Sequence, residues 1–192
     1  MHTKLILKSL GLFIVTGILQ LSGIVILPFV LLFVPKSKEV LPDAFAWFDN
    51  HEIRLKQGSM DDGLAGPAYY RDDMVKKYGL YLTRYIWLAF RNPVNYFQYS
   101  VLGFLVDRTT KFDVTKYGPQ VGNQEGDKAG LSVLVATDSD GESTADIYYV
   151  VKLTKARCLR IRIGHKLKDP SETKPYIAQY VCTFNLAEYL GD

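Results

Sequence analysis

The longest apolar run of the chain lies at its N-terminus and gives the first prediction. Between Lys8 and Lys36 there are 27 residues without a charged side chain. A helix needs about 20 residues to cross roughly 30 Å of hydrocarbon. The run therefore predicts one transmembrane helix, within an N-terminal membrane anchor that we place at residues 1–36.

A signal peptide and a buried core helix are the other interpretations of this run. Lys4 and Lys8 suit the basic start of a signal peptide, but the apolar part of such a peptide is typically about 7–15 residues, and no A-x-A-like cleavage site precedes Pro35. A buried core helix rarely carries so long an uncharged run. Basic residues nearly balance across the run, with Lys36 and Lys38 on its far side, so charge does not orient it. Since no second export signal is present, we expect the C-terminal domain to be cytoplasmic.

Residues 37–111 are predicted to form a juxtamembrane loop followed by aromatic-rich helices. Apolar residues recur at three- and four-residue steps over residues 74–90, which indicates an amphipathic helix. Asn92-Pro93 should end it, because the residue before a proline avoids the α region. A second apolar run over residues 94–106 predicts a second helix. The two helices either lie in the membrane interface or pack on the β-rich domain.

Residues 112–192 are predicted to form a β-rich domain. Its first part, residues 112–130, is rich in glycine and polar residues and predicts a loop without a phosphate-binding pattern. Beyond it, runs of β-branched and aromatic residues separated by turn residues predict an antiparallel meander of about four strands. The runs cover residues 131–136, 147–154, 157–163 and 176–184. The predicted fold class is therefore α+β: a transmembrane helix, two amphipathic helices around the Asn-Pro break, and the meander.

Candidate catalytic chemistry is sparse. The three histidines are scattered, and no nucleophile–base pair accompanies them, so we predict no catalytic residue and no cofactor. His51-Glu52 begins an H-E-x-x-H pattern, but Leu55 breaks it, and no metal site is predicted. The nearby carboxylate of Asp49 is interpreted as solvated loop charge. Cys158 and Cys182 have no metal-ligand spacing; buried free thiols are the favoured interpretation, and a disulfide is the alternative.

Two groups of residues are candidate sites. A basic run with no acid before Asp169 is a candidate face for anionic lipid or a partner protein, where each charge could add about 1 kcal/mol; a solvated sheet face is the alternative. It consists of Arg157, Arg160, Arg162, His165, Lys166 and Lys168. A second group at the helix break is interpreted as an interfacial or structural corner, in which Asn side chains cap freed backbone groups. It consists of Trp87, Arg91, Asn92, Pro93 and Asn95.

Three motifs carry a resemblance that covers most of the chain. They are Trp47-Phe48-Asp49-Asn50, then Trp87 with Arg91-Asn92-Pro93-Val94-Asn95, and finally Arg160-Ile161-Arg162-Ile163-Gly164-His165-Lys166-Leu167. In this order behind an apolar anchor, they resemble a family of small uncharacterised membrane proteins of tailed bacteriophages. The resemblance implies a viral protein in the host inner membrane, and it brings no established reaction or cofactor.

Three classes of function follow from these observations. The leading one is a non-enzymatic, phage-encoded envelope protein that acts through protein or lipid contacts, for example in superinfection exclusion. The second is a virion-associated or lysis-related membrane protein, and the third is a membrane-bound enzyme whose site is assembled only in three dimensions. The expected partners are the lipid bilayer and a host or phage envelope protein. The net charge of only +3 argues against nucleic acid, and the oligomeric state is left open.

Overall fold

The computed structural model describes residues 2–56, 62–117, 129–168 and 175–189, and the chain divides into two compact units. One unit comprises Val15–Leu102 and is helical. The other joins Met1–Ile14 to Gly103–Asp192 and is built on β-sheet. The predicted α+β class is confirmed, whereas the three-part division at residues 36 and 111 stays a prediction about the composition of the chain.

A single long helix, α1, extends from His2 to Leu32 and contributes to both units. At 1.5 Å per residue its 31 residues measure about 46 Å, which exceeds the hydrocarbon thickness of a bilayer. Pro28 lies inside the helix. The predicted N-terminal helix is confirmed.

Short helices follow α1 in the helical unit. A 3-10 helix spans Asp43–Phe48, α2 spans His51–Leu55, α3 spans Ala68–Ile86, a π-helical turn spans Trp87–Arg91, and α4 spans Asn95–Ser100. The helical run that begins with α3 ends at Arg91, so the helix end predicted at Asn92-Pro93 is confirmed. The second predicted helix is too long, because its last residues form strand β1, Phe104–Val106. Both elements are short, with six and three residues, and periodicity alone does not separate them.

The apolar core of the helical unit is shared between α1 and the segments that follow it. Residues from the second half of α1 are buried together with aromatic and aliphatic residues around the π-helical turn. The buried members are Leu27, Val30, Leu31, Val34, Leu41, Phe48, Leu64, Trp87, Leu88, Ala89, Val94 and Phe97. Within this unit, α1 is therefore part of the fold and not a detached tail.

The β unit contains an antiparallel sheet of five strands in the order β2-β3-β4-β5-β7. Its strands are β2 (Lys111–Tyr117), β3 (Gly130–Thr137), β4 (Ser143–Lys152), β5 (Arg157–His165) and β7 (Tyr180–Glu188). Strand β1 pairs with β6, Tyr176–Ala178, in a two-stranded sheet. The meander is confirmed, but the predicted strand over residues 176–184 is divided between β6 and β7, which belong to different sheets. Strand β2 was predicted as loop because glycines follow it closely. The rest of that predicted loop, residues 118–128, lies outside the described residues.

Strand register divides the five-stranded sheet into two faces, since directly opposed residues share a face. The polar sheet face carries Asp146, Tyr148, Arg160, Arg162, Thr183 and Asn185. The apolar sheet face carries Leu131, Val133, Val135, Ile147, Tyr149, Val151, Leu159, Ile161, Ile163, Cys182, Phe184 and Leu186. The polar sheet face also carries the buried residues Val150, Cys158 and Ala187, and strand β2 adds Lys111 and Asp113 to the apolar sheet face. The two-residue period of the strands therefore sorts polar and apolar side chains only in part.

A buried ion pair crosses the polar sheet face. Arg162 donates from Nε to Asp146 Oδ1 at 2.9 Å and from Nη2 to Oδ2 at 2.5 Å, and both residues are buried. The backbone N–H of Leu167 donates to the same Oδ2 at 3.1 Å. This arrangement ties β4, β5 and the segment after β5 to one carboxylate.

We expect Asp146→Ala to lower the free energy of unfolding of the β unit by about 3–5 kcal/mol, because it removes the carboxylate that pairs with the buried Arg162 guanidinium. The double variant Asp146→Leu with Arg162→Leu should be much closer to the native chain. Urea unfolding followed by far-UV circular dichroism in detergent micelles measures both. Asp113→Ala, at an exposed position on β2, is the control. A single variant as stable as this control would contradict the prediction.

Candidate membrane-contact site

One side of α1 presents large apolar residues to its surroundings at three- and four-residue steps. Each of them is more than half exposed. They are Leu7, Leu10, Ile14, Ile18, Leu21, Val25, Phe29 and Leu32. In the described part of the chain, one helical segment, Leu7–Leu32, is long and apolar enough to cross a membrane. Only 17% of its most apolar 18-residue stretch is buried. A core helix of a soluble protein would hide most of such a surface.

A groove with apolar lining runs beside the second half of α1. Its walls come from α1 and from the segment that leads into the 3-10 helix, and they expose almost no polar surface. The lining residues are Val25, Ile26, Phe29, Val30, Phe33, Pro42 and Phe45. Such a groove suits an acyl chain or an apolar side chain of a partner.

The proline in α1 frees a carbonyl group that another helix satisfies. Pro28 has no N–H to donate to the carbonyl of Ile24, four residues earlier. The hydroxyl of Tyr85, on α3, donates to that Ile24 oxygen at 3.2 Å. The hydroxyl of Tyr81 donates to the oxygen of Pro28 itself at 2.7 Å. Two tyrosines one turn apart therefore hold α3 against the irregular part of α1.

The side chain of Arg84 binds the backbone of the segment that follows α1. Its guanidinium donates to the carbonyl oxygens of Pro35 at 3.2 Å, Lys36 at 2.9 Å and Lys38 at 2.6 Å. The residue is only 4% exposed, and burial lowers the pKa of the guanidinium. Sequence analysis placed Arg84 in an amphipathic helix that either lies in the membrane interface or packs on the β-rich domain; in the structure its side chain satisfies backbone carbonyls of the segment that follows α1.

Asp49 is the centre of a buried network in the helical unit. Its carboxylate accepts from the backbone N–H groups of Leu41 and Asn50, each at 3.0 Å, and from Nε of Arg54 at 3.0 Å. Arg54 also donates to Asp43 at 2.9 Å. The prediction of solvated loop charge is wrong for Asp49, which is fully buried. Burial raises its pKa to about 6, against the two backbone N–H groups and Arg54, which lower it.

Two of the motifs identified in the sequence meet at this network. The backbone N–H of Tyr96 donates to the Asp49 carbonyl at 2.9 Å, and Asn95 Oδ1 accepts from the backbone N–H of His51 at 2.9 Å. The ring Nδ1 of His51 lies 2.6 Å from the same Asn95 oxygen, and the ring stacks on Tyr99 with centroids 3.6 Å apart. Asn95 therefore caps α2, 44 residues earlier in the chain, rather than its own helix break. Burial lowers the pKa of His51.

The other predicted corner residues lie around a different ring. Trp87 packs on Tyr70 with centroids 4.9 Å apart, and the Arg91 guanidinium lies 5.8 Å from the centroid of that tyrosine. The backbone N–H of Asn92 donates to the Trp87 carbonyl at 2.8 Å, which closes the π-helical turn before Pro93. The hydroxyl of Tyr70 and Nε1 of Trp87 are buried without a hydrogen-bond partner in the described part of the chain. This corner is held mainly by ring packing.

The structure separates the residues of the predicted basic face. Arg162 and His165 are buried: Arg162 pairs with Asp146, and His165 Nδ1 lies 2.6 Å from the hydroxyl of Thr144. Arg160 is half-buried on the polar sheet face. The exposed members are Arg157, Lys166 and Lys168. A basic lipid or partner contact therefore stays a prediction that concerns these three. Nearby protein partly desolvates the Lys166 ammonium and, together with the charge of Arg162, lowers its pKa.

The cysteines and the candidate metal ligands form neither a disulfide nor a metal site among the described residues. Cys158 and Cys182 are both free, and register places them on opposite faces of the sheet, so the interpretation as free thiols is confirmed. Burial raises the pKa of Cys182 to about 11. Among the residues that the structure describes, no group of three or more His, Cys, Asp or Glu side chains is placed to hold a metal ion.

The hydrogen bond at the proline leads to a double-variant prediction. Tyr85→Phe should lower the free energy of unfolding by about 1–3 kcal/mol, because the Ile24 carbonyl then lacks its external donor. In a Pro28→Ala background the loss should shrink, because residue 28 now has an N–H for that carbonyl. Tryptophan emission during unfolding in detergent micelles reports on this unit, which contains both tryptophans. Tyr69→Phe, at a position 81% exposed, is the control. Equal losses in the two backgrounds would contradict the assignment.

The buried carboxylate leads to a prediction about pH. Because the pKa of Asp49 is raised from 3.8 to about 6, the folded state binds its proton more tightly than the unfolded state does. The free energy of unfolding should therefore fall by about 2–3 kcal/mol as pH rises from about 4 to about 6.5. Asp49→Asn should be less stable and lack this slope.

Asp43→Asn provides the matched control, since Asp43 pairs with the same Arg54 but has a side chain 99% exposed. It should keep the slope between pH 4 and 6.5 found for the native chain. The measurement is tryptophan-detected unfolding at a series of pH values. A slope that persists unchanged in Asp49→Asn would assign the titration to another group.

Comparison with known proteins supplies a family and no activity. No curated protein and no solved structure matches the chain. A family model described as a family of unknown function, DUF7338, matches residues 1–191. Because the match covers almost the whole chain, the protein belongs to the DUF7338 family.

Proposed function

We propose that this chain is a single-span membrane protein, anchored by α1, that acts through protein or lipid contacts at the bilayer and not as an enzyme. The observation that carries the proposal is the continuous apolar stripe of α1, whose large side chains are more than half exposed from Leu7 to Leu32. In water this stripe would be a liability, whereas in hydrocarbon it is the expected surface of a spanning helix.

The packing of α1 supports an anchor that stays in the mature protein. Leu27, Val30 and Leu31 belong to the core of the helical unit, and a Cβ at Gly23 would lie 3.1 Å from the ring of Phe48. Tyr81 and Tyr85 donate to its backbone. Removal of α1 as a signal peptide would expose this core and leave both hydroxyls without these acceptors.

Aromatic exposure in the helical unit supports contacts at the membrane interface. Tyr69, Tyr78, Tyr81 and Phe90 are between 41% and 81% exposed. Tyrosine is enriched where one end of a side chain meets hydrocarbon and the other meets water. Together with the apolar groove beside α1, these side chains are the contact surface that we propose for lipid or for an apolar segment of an envelope protein.

The biological setting of the proposal rests on the sequence resemblance alone. We propose a phage-encoded protein in the host inner membrane with its C-terminal domain in the cytoplasm, and superinfection exclusion as one activity that contacts of this kind can serve. The family match gives no evidence for or against this setting, because that family has no assigned function.

Extraction at alkaline pH tests the anchor. The native chain should stay with the membrane fraction after treatment with sodium carbonate. Ile18→Arg combined with Leu21→Arg should release a large part of it, because each charge at the middle of a span costs about 2.5–3.5 kcal/mol. Both positions are more than 60% exposed, so the fold itself is spared.

The matched control places two arginines at exposed apolar positions outside the span. Tyr69→Arg combined with Val101→Arg, at positions 81% and 55% exposed, should leave the chain in the membrane fraction. Release of the native chain by carbonate, or equal release of the two double variants, would overturn the proposal.

A further inference from the structure

The apolar sheet face is open over much of its area. Tyr149, Phe184 and Leu186 are 43%, 56% and 72% exposed, and most other members of the face are only partly buried. The polar sheet face, in contrast, buries Asp146 and Arg162. That face is the packed one, because it also buries Ala136, Val150 and Cys158. An antiparallel sheet commonly has one packed and one solvated face, and here the face left open carries mostly apolar side chains.

The apolar sheet face carries few charged side chains. On β3, β4, β5 and β7 they are Arg157 and Glu188, which lie opposite each other at one end, and edge strand β2 adds Lys111 and Asp113. Strand spacing and rise give four strands and about six residues an area of roughly 300 Å². This is about the size of the largest apolar patch on a typical soluble monomer, and such patches are often functional.

The first turns of α1 contact β7, an edge strand of the sheet, within the β unit. Tyr180 donates from its hydroxyl to the carbonyl of Ser9 at 2.8 Å, and the rings of Phe13 and Phe184 meet edge to face with centroids 6.5 Å apart. Phe184 belongs to the apolar sheet face, so this ring pair joins α1 to that face. Leu7, Leu10 and Ile14 of the same segment are each more than half exposed, which makes the apolar surface of the helix continuous with that of the sheet.

These contacts set the depth of the sheet in a bilayer. The apolar span begins at Leu7, so at 1.5 Å per residue Ser9 and Phe13 lie about 3 Å and 9 Å along it. Elements buried about 5–10 Å into the boundary between headgroups and acyl chains lie on a membrane without crossing it. A sheet attached at this level can put one face into the acyl chains and keep its edge strands among polar groups, as open sheet edges require.

We propose that the apolar sheet face lies on the lipid bilayer beside the first turns of α1, so that its side chains contact acyl chains and the β unit is bound to the membrane by its own surface. The exposed side chains of Lys4 and Lys8, next to the start of the span, suit anionic headgroups at this level. The occupant is lipid and not a second copy of the chain, because the helix that already covers part of the face continues directly into the span. This inference rests on the proposed anchoring by α1.

Neighbouring residues on β7 provide a matched test, because Leu186 lies on the apolar sheet face and Asn185 on the polar one, and both are exposed. Full-length chains with Cys158→Ser and Cys182→Ser carry one new cysteine, Leu186→Cys, Asn185→Cys or Ile18→Cys, labelled with an environment-sensitive fluorophore. They are reconstituted into vesicles of phosphatidylcholine and phosphatidylglycerol that contain a nitroxide-labelled lipid. We expect the labels at 186 and 18 to lose most of their emission to the nitroxide lipid and to resist aqueous iodide. The label at 185 should show the opposite behaviour.

The label at position 18 separates the two proposals. If it is quenched by the nitroxide lipid while the label at 186 is quenched by iodide, anchoring stands and the inference about the sheet is wrong. If the label at 18 is not quenched by the lipid, the proposed anchoring fails. A label at 186 that is protected from both quenchers indicates a covering second copy and also overturns the inference. Phe184→Cys and Thr183→Cys, on the same two faces, repeat the comparison if either first variant does not fold.

Discussion

The backbone of an apolar helix that contains a proline is the constraint on which the helical unit depends. Pro28 removes one intrahelical hydrogen bond from α1, and in an apolar surrounding the freed Ile24 carbonyl has no water to replace it. Tyr85 supplies the donor, and Arg84, on the same helix, satisfies three further carbonyls after α1 ends. The position of α3 is thus set by backbone carbonyls of α1 and of the segment that follows it.

A second network holds the segments between α1 and α3. Asp49 gathers two backbone N–H groups and Arg54 on one buried carboxylate, while Asn95 joins His51 across 44 residues of chain. Groups of this kind stabilise one arrangement of short helices that have too few residues to be stable alone. Functionally, they provide a rigid base beneath the exposed aromatic residues and the apolar groove beside α1.

The two units differ in how they leave apolar side chains exposed. In the helical unit, one side of α1 is covered by protein and the other is left apolar and open. In the β unit, strand alternation sorts Arg162 and Asp146 to one face and a mostly apolar set to the other. Each unit therefore exposes large apolar side chains.

By itself, the sequence determined the long apolar N-terminal helix, the break at Asn92-Pro93 and four of the strands, because these depend on local composition, on proline geometry and on a two-residue period. The tertiary structure decided which polar residues are buried. Asp49 and Arg162 stand among charged or loop-like neighbours, and nothing in their surroundings along the chain distinguishes them from solvated residues. Their partners are set by packing: five residues separate Arg54 from Asp49, sixteen separate Asp146 from Arg162, and 44 separate Asn95 from His51. Hydrophobic pattern fixes elements, whereas the pairing of buried charges depends on how distant segments meet.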